Sequence, residues 1–437
     1  MPSSLVIVIG AGAGGMMAAG RAAECGARVT LLEKTDGPGK KILISGQTRG
    51  NVTNARPLEE FNEMYGKNGR FLFPAFRRFF RDDLMDFLGR CGVPTATESD
   101  GRIFPASGKA QDVVGALVKY LEDNGVSLHT RTCVTGIKVE QGRVKGDETP
   151  GGVFTGQAII LATGGASYPG TGSSGDGYRM AAALGHTIVP LRPALVPLMV
   201  QEVERARRMQ GVSLRDVRVT AYRLTPDEID PGIPVRDCGR GTGITPPRTV
   251  IESRAGDVIF THFGLSGPAV LQMSLAVYDS LQQGPVSLAI DLRPSLTFLQ
   301  LRQELQDYLD RYGKRTYRHI LTGLLPEKMA AVFPELTRIQ PDKPAHQISA
   351  AERDRLASAL KSLRFSISGT LPLAAAMVTA GGVALDEIDP RTMQSKLVQG
   401  LFFCGEVMDI DADTGGFNLQ AAFSTGFVAG EAAARTD

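Results

Sequence analysis

The stretch LVIVIGAGAGGMMAAG near the start of the chain places glycines at positions 10, 12 and 15 between an apolar run and a series of small residues. This spacing fits G-x-G-x-x-G, in which the glycines permit a tight turn, close approach of a pyrophosphate and packing of helix on strand. Glu33 ends the next apolar segment, close to the offset at which an acid binds ribose hydroxyls. Residues 5–33 are therefore predicted to form a βαβ unit that binds an adenine dinucleotide, unless the glycines serve only a tight turn.

An acid at this position suits both NAD and FAD, and two later segments favour FAD. In AIILATGGASYPGTG, Ala162, Thr163 and Gly164 follow an apolar strand and can bring backbone against a cofactor. In GLFFCGEVMDIDADTGGFNLQ, Glu406 follows another apolar strand, and Gly416 opens a helix whose N-terminus could stabilise negative charge on a reduced flavin ring. Because the sequence holds one dinucleotide fingerprint, any NAD(P)H is expected to bind only transiently.

The pattern along the chain predicts an α/β fold in which an insertion interrupts one domain. Residues 1–192 and 366–437 are assigned to a Rossmann-type domain, residues 193–294 and 345–365 to a β-rich insert, and residues 295–344 to a helical insert. Helices are expected over 74–91 and from Ser349, where SAAE has the form of a capping box. The segment SLHTRTCVTGIKVE is expected to form a pair of strands.

Charge and composition name no partner and give no sign of nucleic acid or of a membrane. The formal charge is +2 without a block of five or six like charges, and no apolar stretch reaches 18 residues. GRFLFPAFRRFFRDDL mixes arginine with phenylalanine as a base-stacking surface might, but its spacing favours an amphipathic helix. Five scattered cysteines, an odd number without a C-x-x-C pair, suggest reduced thiols in a cytoplasmic protein.

Seven segments together resemble the BaiN-like or aminoacetone-oxidase-like family of bacterial FAD-binding flavoproteins. They are GAGAGG, EKTDGPGKKILISGQTRGNVTN, GRIFPASGKAQDVV, LATGGASYPGTGSSGDGY, FTHFGLSGPAVLQMS, VTAGGV and GLFFCGEVMDIDADTGGFNLQAAFSTG. The resemblance covers nearly the whole chain and implies a discontinuous Rossmann domain with an inserted small β-barrel and a helical domain. It further implies non-covalent FAD.

The resemblance also implies which residues hold the cofactor. The glycine turn, including Gly14, would meet the pyrophosphate, Glu33 the adenine ribose, and Val134 the adenine. The ribityl and flavin part would lie along Lys34, Lys40, Lys41, Ser45, Gly46, Asn51, Thr53 and Asn54. The pocket would be completed by Gly405, Glu406, Gly416, Phe417, Asn418 and Leu419. One departure is Gly50, where family members often have cysteine, so a thiol role at that position is in doubt.

The chemistry expected is hydride transfer through flavin N5 between a small amine, ketone or enone, or NAD(P)H, and a second acceptor. His262, in IFTHFGLSGPA, is the candidate proton-transfer residue, with a structural role in the inserted domain as its alternative. Tyr168 and Arg179 are weaker candidates. Asp409, Asp411 and Asp413 are expected in a solvated loop, and no metal site is predicted. A flavin-containing RNA-binding or modifying protein, which would need a basic face, and a flavin-free NAD dehydrogenase stay open as alternatives.

Overall fold

A parallel sheet carries the glycine turn, and a closed barrel lies in the inserted part of the chain. The computed structural model describes residues 4–436. In chain order the strands are β1 (Leu5–Ile9), β2 (Arg28–Leu32), β3 (Thr53–Asn54), β4 (Thr95–Thr97), β5 (Arg102–Pro105), β6 (Ser127–His129), β7 (Gly136–Glu140), β8 (Arg143–Thr149), β9 (Gly152–Thr155), β10 (Ala158–Leu161), β11 (Ile188–Ala194), β12 (Leu198–Val200), β13 (Ser213–Tyr222), β14 (Val250–Phe260), β15 (Gly264–Ser266), β16 (Ser287–Asp291), β17 (Leu363–Thr370), β18 (Val378–Val383) and β19 (Leu401–Phe403).

The α-helices connect these strands and cover the sheet. In chain order they are α1 (Ala13–Glu24), α2 (Lys40–Ile44), α3 (Leu58–Glu63), α4 (Gly69–Arg78), α5 (Arg81–Arg90), α6 (Ala110–Asp123), α7 (Asp176–Ala183), α8 (Val203–Arg208), α9 (Pro268–Leu281), α10 (Phe298–Arg311), α11 (Tyr317–Leu324), α12 (Glu327–Ala330), α13 (Phe333–Thr337), α14 (Ala350–Lys361) and α15 (Phe417–Ala433).

The parallel sheet has the strand order β19-β10-β1-β2-β6 and belongs to a unit made of residues up to 192 and from 373 onward. β10 is buried along its whole length and β1 nearly so, as expected for strands that helices cover on both faces. On one face α15 packs against α1 through small residues. A Cβ at Gly426 or Gly430 would lie 2.3 Å from the backbone oxygen of Gly14 or Ala18, so only glycine permits this close approach.

Smaller sheets complete this unit. The strands β3, β5 and β4 form one antiparallel sheet, β7, β8 and β9 form another, and β11 pairs with β18. The segment SLHTRTCVTGIKVE contains two strands as predicted, but the prediction that they pair with each other is wrong. β6 joins the parallel sheet beside β2, whereas β7 pairs with β8 across a tight turn, because the intervening residues carry the chain from one sheet to the next.

The second unit, Pro193–Pro372, contains a closed barrel with the strand order β12-β15-β14-β13-β16-β17. Its apolar core includes residues from the barrel and from helices α9 to α14. A Rossmann-type sheet, a barrel and helices together confirm the predicted fold class. The predicted boundary at 366 falls inside β17, which pairs with β12 and β16, so the barrel extends further along the chain than expected. The separation of the insert into a barrel domain and a helical domain stays a prediction.

Local capping explains two of the helix boundaries. Ser349 Oγ accepts from Glu352 N at 3.3 Å while Glu352 Oε2 accepts from Ser349 N at 2.8 Å, which confirms the capping box at α14. The single helix predicted over 74–91 is instead broken between α4 and α5. Phe79 and Phe80 adopt extended backbone, and Asp83 Oδ2 accepts from Phe80 N at 2.8 Å to begin the second helix. Within residues 4–436, no helix is both long enough and apolar enough to cross a bilayer.

Candidate active site

The glycine turn between β1 and α1 forms a cradle open to a ligand. Gly10 has φ +102°, and a Cβ there would lie 2.6 Å from the Ala162 oxygen. A Cβ at Gly15 would lie 1.8 Å from the Gly10 oxygen, so both positions require glycine. Gly12 caps α1 without a side chain and has no atom within 4 Å of its Cβ position. Helix α1 thus begins without a side-chain cap and without an acid in its first turn, which suits the binding of a pyrophosphate at its first N–H groups.

Glu33, at the carboxyl end of β2, is fixed by two backbone groups. Its Oε2 accepts from Ala11 N and its Oε1 from Thr35 N, each at 2.8 Å, and the residue is 8% exposed. A carboxylate oxygen can accept more than one hydrogen bond, so Glu33 keeps capacity for ribose hydroxyls beside the glycine turn. The neighbouring Lys34 turns toward another loop, where its ammonium contacts Ser174 Oγ at 2.5 Å and pairs with Asp176.

Glu406 follows β19, and its carboxylate accepts hydrogen bonds from three other segments of the chain. Lys41 Nζ lies 2.7 Å from Glu406 Oε2 and 2.9 Å from Ser167 Oγ. Thr379 N donates to Glu406 Oε1 at 2.9 Å, and Gly165 N donates to Glu406 Oε2 at 3.3 Å. The negative charge of this half-buried carboxylate is thus balanced by one ammonium group and by backbone N–H groups at the carboxyl edge of the sheet.

The N-terminus of α15 lies against β3. Gly416 has φ +95°, and a Cβ there would lie 2.3 Å from the Thr53 oxygen. Asn54 Nδ2 donates to the Gly415 oxygen at 3.0 Å. The Asn51 amide, oriented to satisfy its neighbours, accepts from Gly416 N at 2.9 Å and donates to the Thr53 oxygen at 3.0 Å. These contacts bring Asn51, Thr53 and Asn54 to the N-terminus of α15, a long helix that no side chain caps.

Two buried hydroxyl groups near these residues lack a hydrogen-bond partner in the described part of the chain, which bears on whether a ligand could bind here. Thr53 Oγ1 and Thr163 Oγ1 are buried without a hydrogen-bond partner among residues 4–436. Buried hydroxyls are ordinarily paired, so each marks a polar group that a ligand could satisfy. Together with the free space at Gly12, they are features that a polar, phosphate-bearing cofactor along this edge would use.

The other predicted cofactor residues lie at several places in the same unit. Ala162, Gly164 and Gly405 lie with the Glu406 cluster at the ends of β10 and β19, and Gly46 has φ +55° with its Cβ position 2.9 Å from Asn51 N. Five further side chains make contacts within the protein, and their contacts with the cofactor stay predictions: Lys40 (with Asp36), Ser45 (with Ile42), Phe417 (with Phe61), Asn418 (with Ala412) and Leu419 (with the apolar core). Val134 is buried, and its contact with adenine stays a prediction.

His262 is exposed, whereas Asp409, Asp411 and Asp413 are buried. His262 lies in the other unit, between β14 and β15, where its exposed ring packs edge-to-face on Phe263 with centroids 4.9 Å apart. Its catalytic role stays a prediction. The expectation that Asp409, Asp411 and Asp413 form a solvated loop is wrong, because all three are at most 7% exposed.

Sequence reasoning did not single out Ser167 or Thr379, which hold Glu406 in place. Both lie in quoted motifs, LATGGASYPG and VTAGGV, but nothing in those motifs shows that they meet Glu406. Tyr178 was missed as well; its hydroxyl donates to the Glu406 oxygen at 3.2 Å. At Gly50, φ is +77° and a Cβ would lie 2.9 Å from Ala110 Cα, so the family's cysteine would be strained here.

A parallel sheet with an open glycine turn after β1 and a buried acid at the end of β2 is the arrangement typical of dinucleotide-binding proteins. Within that class the chain belongs to the HI0933-like family, because the profile described as "HI0933-like protein Rossmann domain" matches residues 4–432. The resemblance found in the sequence is thereby confirmed.

Relatives with assigned activities align along nearly the whole chain. The chain is 31% identical to the 3-dehydro-bile acid delta(4,6)-reductase of Clostridium scindens, with 98% of each chain covered. It is also 31% identical to the ribosomal RNA dihydrouridine synthase of Escherichia coli, covering 96% of this chain and 95% of that one. The chain is therefore a flavin-dependent oxidoreductase of this family.

Solved structures share the fold. The 3-ketosteroid delta1-dehydrogenase of Sterolibacterium denitrificans matches with a TM-score of 0.53 at 14% identity, covering both chains completely. The 3-ketosteroid-delta4-(5alpha)-dehydrogenase of Rhodococcus jostii matches with a TM-score of 0.50 at 15% identity, covering 98% of this chain and 96% of that one. At these identities the likeness concerns the fold alone.

Proposed function

We propose that this protein is an FAD-dependent reductase that adds hydride and a proton across a carbon–carbon double bond conjugated to a carbonyl group. The observation that carries the proposal is the joint presence of the dinucleotide cradle and of two relatives whose named activities share this chemistry. A delta(4,6)-reductase of a 3-oxo bile acid and a dihydrouridine synthase both saturate a double bond conjugated to a carbonyl. We propose for this chain the reaction that the two relatives share, and neither of their substrates.

The residues of the cradle are assigned to FAD as follows. The N-terminus of α1 at Gly12 would hold the pyrophosphate, Glu33 the adenine ribose, and Thr53 and Thr163 polar groups further along the cofactor. Bound FAD would supply a hydride acceptor and donor at N5. The uncapped N-terminus of α15 at Gly416 would stabilise negative charge on the reduced ring. Binding would be non-covalent, with NAD(P)H as a transient donor.

Anaerobic titration of the purified flavoprotein with NADH and then NADPH tests the proposal. Bleaching of the flavin spectrum identifies the donor, and addition of a conjugated 4,6-dien-3-one steroid acid should restore the oxidised spectrum and yield a saturated product. A reduced flavin that no activated alkene reoxidises would refute the proposed reaction. Colourless protein without releasable FAD would favour a flavin-free NAD dehydrogenase instead.

A pair of variants at Gly12 tests the cradle separately from the reaction. Gly12 has ordinary backbone, φ −79°, and free space at its Cβ, so aspartate fits there and caps α1 well. Gly12→Asp should keep or raise the stability of the apo protein yet lose FAD, because its charge would repel the pyrophosphate. Gly12→Asn has nearly the same shape without the charge and should lose less FAD. Equal FAD content in both variants would contradict the assignment.

A second candidate substrate is a uridine within RNA, and one surface feature favours it. Arg311, Lys314 and Arg315, at and after the end of α10, are exposed and have no carboxylate within 4 Å among residues 4–436. In the same unit Arg207 and Arg208 are paired with Glu204 and Glu335. A cluster of unpaired cations is the local basic face that RNA binding needs.

Fluorescence anisotropy with a uridine-rich RNA hairpin tests this alternative. If the cluster binds phosphates, affinity should fall steeply with salt, and Arg311→Ala/Lys314→Ala/Arg315→Ala should reduce the slope of log K against log salt by about 2 to 3. Arg207→Ala/Arg208→Ala removes charge elsewhere on the same unit and serves as control. Equal slopes in both variants would exclude the cluster, and no RNA binding by the wild type would favour the small-molecule substrate.

A further inference from the structure

The loop that follows β10 is held rigidly at the carboxyl edge of the sheet. Ala166 N donates to Thr379 Oγ1 at 2.9 Å, and Gly175 N donates to the Gly165 oxygen at 3.1 Å. Ser167 is fully buried, and its Oγ accepts from Lys41 Nζ at 2.9 Å. The loop is thus fixed on both sides of residue 168, beside the Lys41–Glu406 pair.

Tyr168 occupies a strained position in this loop. Its φ of 50° and ψ of 61° lie in the left-handed region, which is an outlier for a bulky aromatic residue. Neighbouring bonds maintain this conformation: Tyr168 N donates to the Ala374 oxygen at 3.3 Å, and the Tyr168 oxygen accepts from Thr171 N and Oγ1, each at 2.8 Å. The side chain is nonetheless 37% exposed, so the strain does not serve to bury the ring. Backbone strain maintained in this way is characteristic of functional sites.

The other three tyrosines of this unit use their hydroxyls for hydrogen bonds within the protein. The hydroxyls of Tyr65, Tyr120 and Tyr178 donate to the Phe417 oxygen, to Glu24 Oε2 and to the Glu406 oxygen, at 2.7, 2.8 and 3.2 Å. The Tyr168 hydroxyl makes no hydrogen bond to any residue from 4 to 436. One phenol is therefore presented outward, one residue away from the serine that contacts Lys41.

We propose that Tyr168 is a catalytic residue that donates a proton to the substrate carbon next to the carbonyl group; the inference rests on the proposed alkene reduction. When bound and reduced, FAD would supply a hydride to the far carbon of the double bond, and the π electrons would move onto the carbonyl group to give an enolate. The enolate carbon then takes the phenol proton, so a C–H bond forms as the O–H bond breaks. The exposed tyrosinate recovers a proton from water.

The variant Tyr168→Phe tests the role, with Tyr312→Phe, equally 37% exposed, as matched control. Tyr168→Phe should retain FAD and bind the saturated ketone product with an unchanged Kd, while reduction of the dienone falls about 100-fold or more. A nitroalkene such as 1-nitrocyclohexene becomes a stable nitronate after hydride addition and needs no acid. Tyr168→Phe should therefore form the nitronate at the wild-type rate, and the nitronate should accumulate.

A second readout needs no cofactor. Asparagine tolerates the left-handed region, so apo Tyr168→Asn should unfold at the same urea concentration as the wild type or at a higher one. A lower midpoint would indicate that the ring supports packing and would count against the proposal.

The outcomes separate this proposal from the proposed function. Undiminished dienone reduction by Tyr168→Phe overturns the role of Tyr168 alone. Loss of dienone reduction in His262→Ala, with none in Tyr168→Phe, assigns the acid to His262 instead. A wild-type protein whose reduced flavin reacts with no activated alkene overturns both the proposed function and the inference that rests on it.

Discussion

Asp147 is a buried carboxyl group whose cost to stability can be worked out from its surroundings. It lies in β8, is 0% exposed, and neither of its oxygens has a hydrogen-bond partner among residues 4–436. Ile137 and Phe154 oppose it on the two neighbouring strands. Burial raises the pKa of Asp147 from its ordinary 3.8 to about 6, because the charged form loses its hydration.

This shift of about 2 pH units corresponds to about 3 kcal/mol of unfolding free energy. Below the unfolded-state pKa, both states hold the proton, so ionisation of Asp147 adds no cost to folding. As pH rises from there to about 6, only the unfolded state releases the proton, so stability falls by about 1.4 kcal/mol per pH unit. Above about 6 both states are ionised, and the full cost of about 3 kcal/mol remains.

The variant Asp147→Asn removes the ionisation while nearly keeping the shape. In urea unfolding of the apo protein, followed by circular dichroism from about pH 4 to about pH 8, the stability of Asp147→Asn relative to the wild type should rise by about 2 to 3 kcal/mol. Hydrogen exchange in β7, β8 and β9 would show whether the gain is local. Glu148→Gln, the exposed neighbour on the same strand, is the control. Parallel pH curves for Asp147→Asn and wild type would refute the reasoning.

Three further variants concern Gly416, the buried His186 and the exposed His262. Gly416→Ala should lower the urea midpoint more than Gly26→Ala, since both have φ near +95° but only Gly416 lacks space for a Cβ. His186→Ala should cost about 3 kcal/mol in urea unfolding, because His186 is buried with its ring bonded to Glu387 and Ser395, each at 2.9 Å. Burial lowers the pKa of His186, so wild-type stability should fall as pH drops below about 6.5, and the variant should lack this decline. His262→Ala should retain FAD in its absorption spectrum, and unchanged turnover would reject the predicted proton transfer.

The parts of the fold that can be predicted well from the sequence are those that depend on residues within one short segment. The first βαβ unit and the capping box at Ser349 both depend on residues close in sequence, and the structure contains both. The break at Phe79 was not predicted, because the helical spacing of phenylalanines continues through it and only the cap by Asp83 ends the pattern. The boundary at β17 was missed because barrel closure depends on pairing with β12, more than 160 residues earlier.

The same limit applies to the candidate site: its local turn could be predicted from the sequence, and its long-range contacts could not. Gly10, Gly12 and Glu33 could be assigned from spacing, because the turn that they form is local. Glu406 could be placed after a strand, but its partners could not: Lys41 is 365 positions away and Ser167 is 239. Such contacts depend on the order of strands in the sheet, which the sequence does not state.

The strand order explains why both ends of the chain are needed for one site. β10 lies between β1 and β19, so the segments that leave these three strands emerge at the same edge of the sheet. Gly10 follows β1, Gly165 follows β10 and Glu406 follows β19, and close contacts already join the loops: Gly10 to Ala162, and Gly165 to Glu406. An insertion between β11 and β18 leaves this edge intact, because those two strands pair outside the parallel sheet. A domain interrupted by 180 residues can therefore bring the candidate site residues from both ends of the chain to one edge of its sheet.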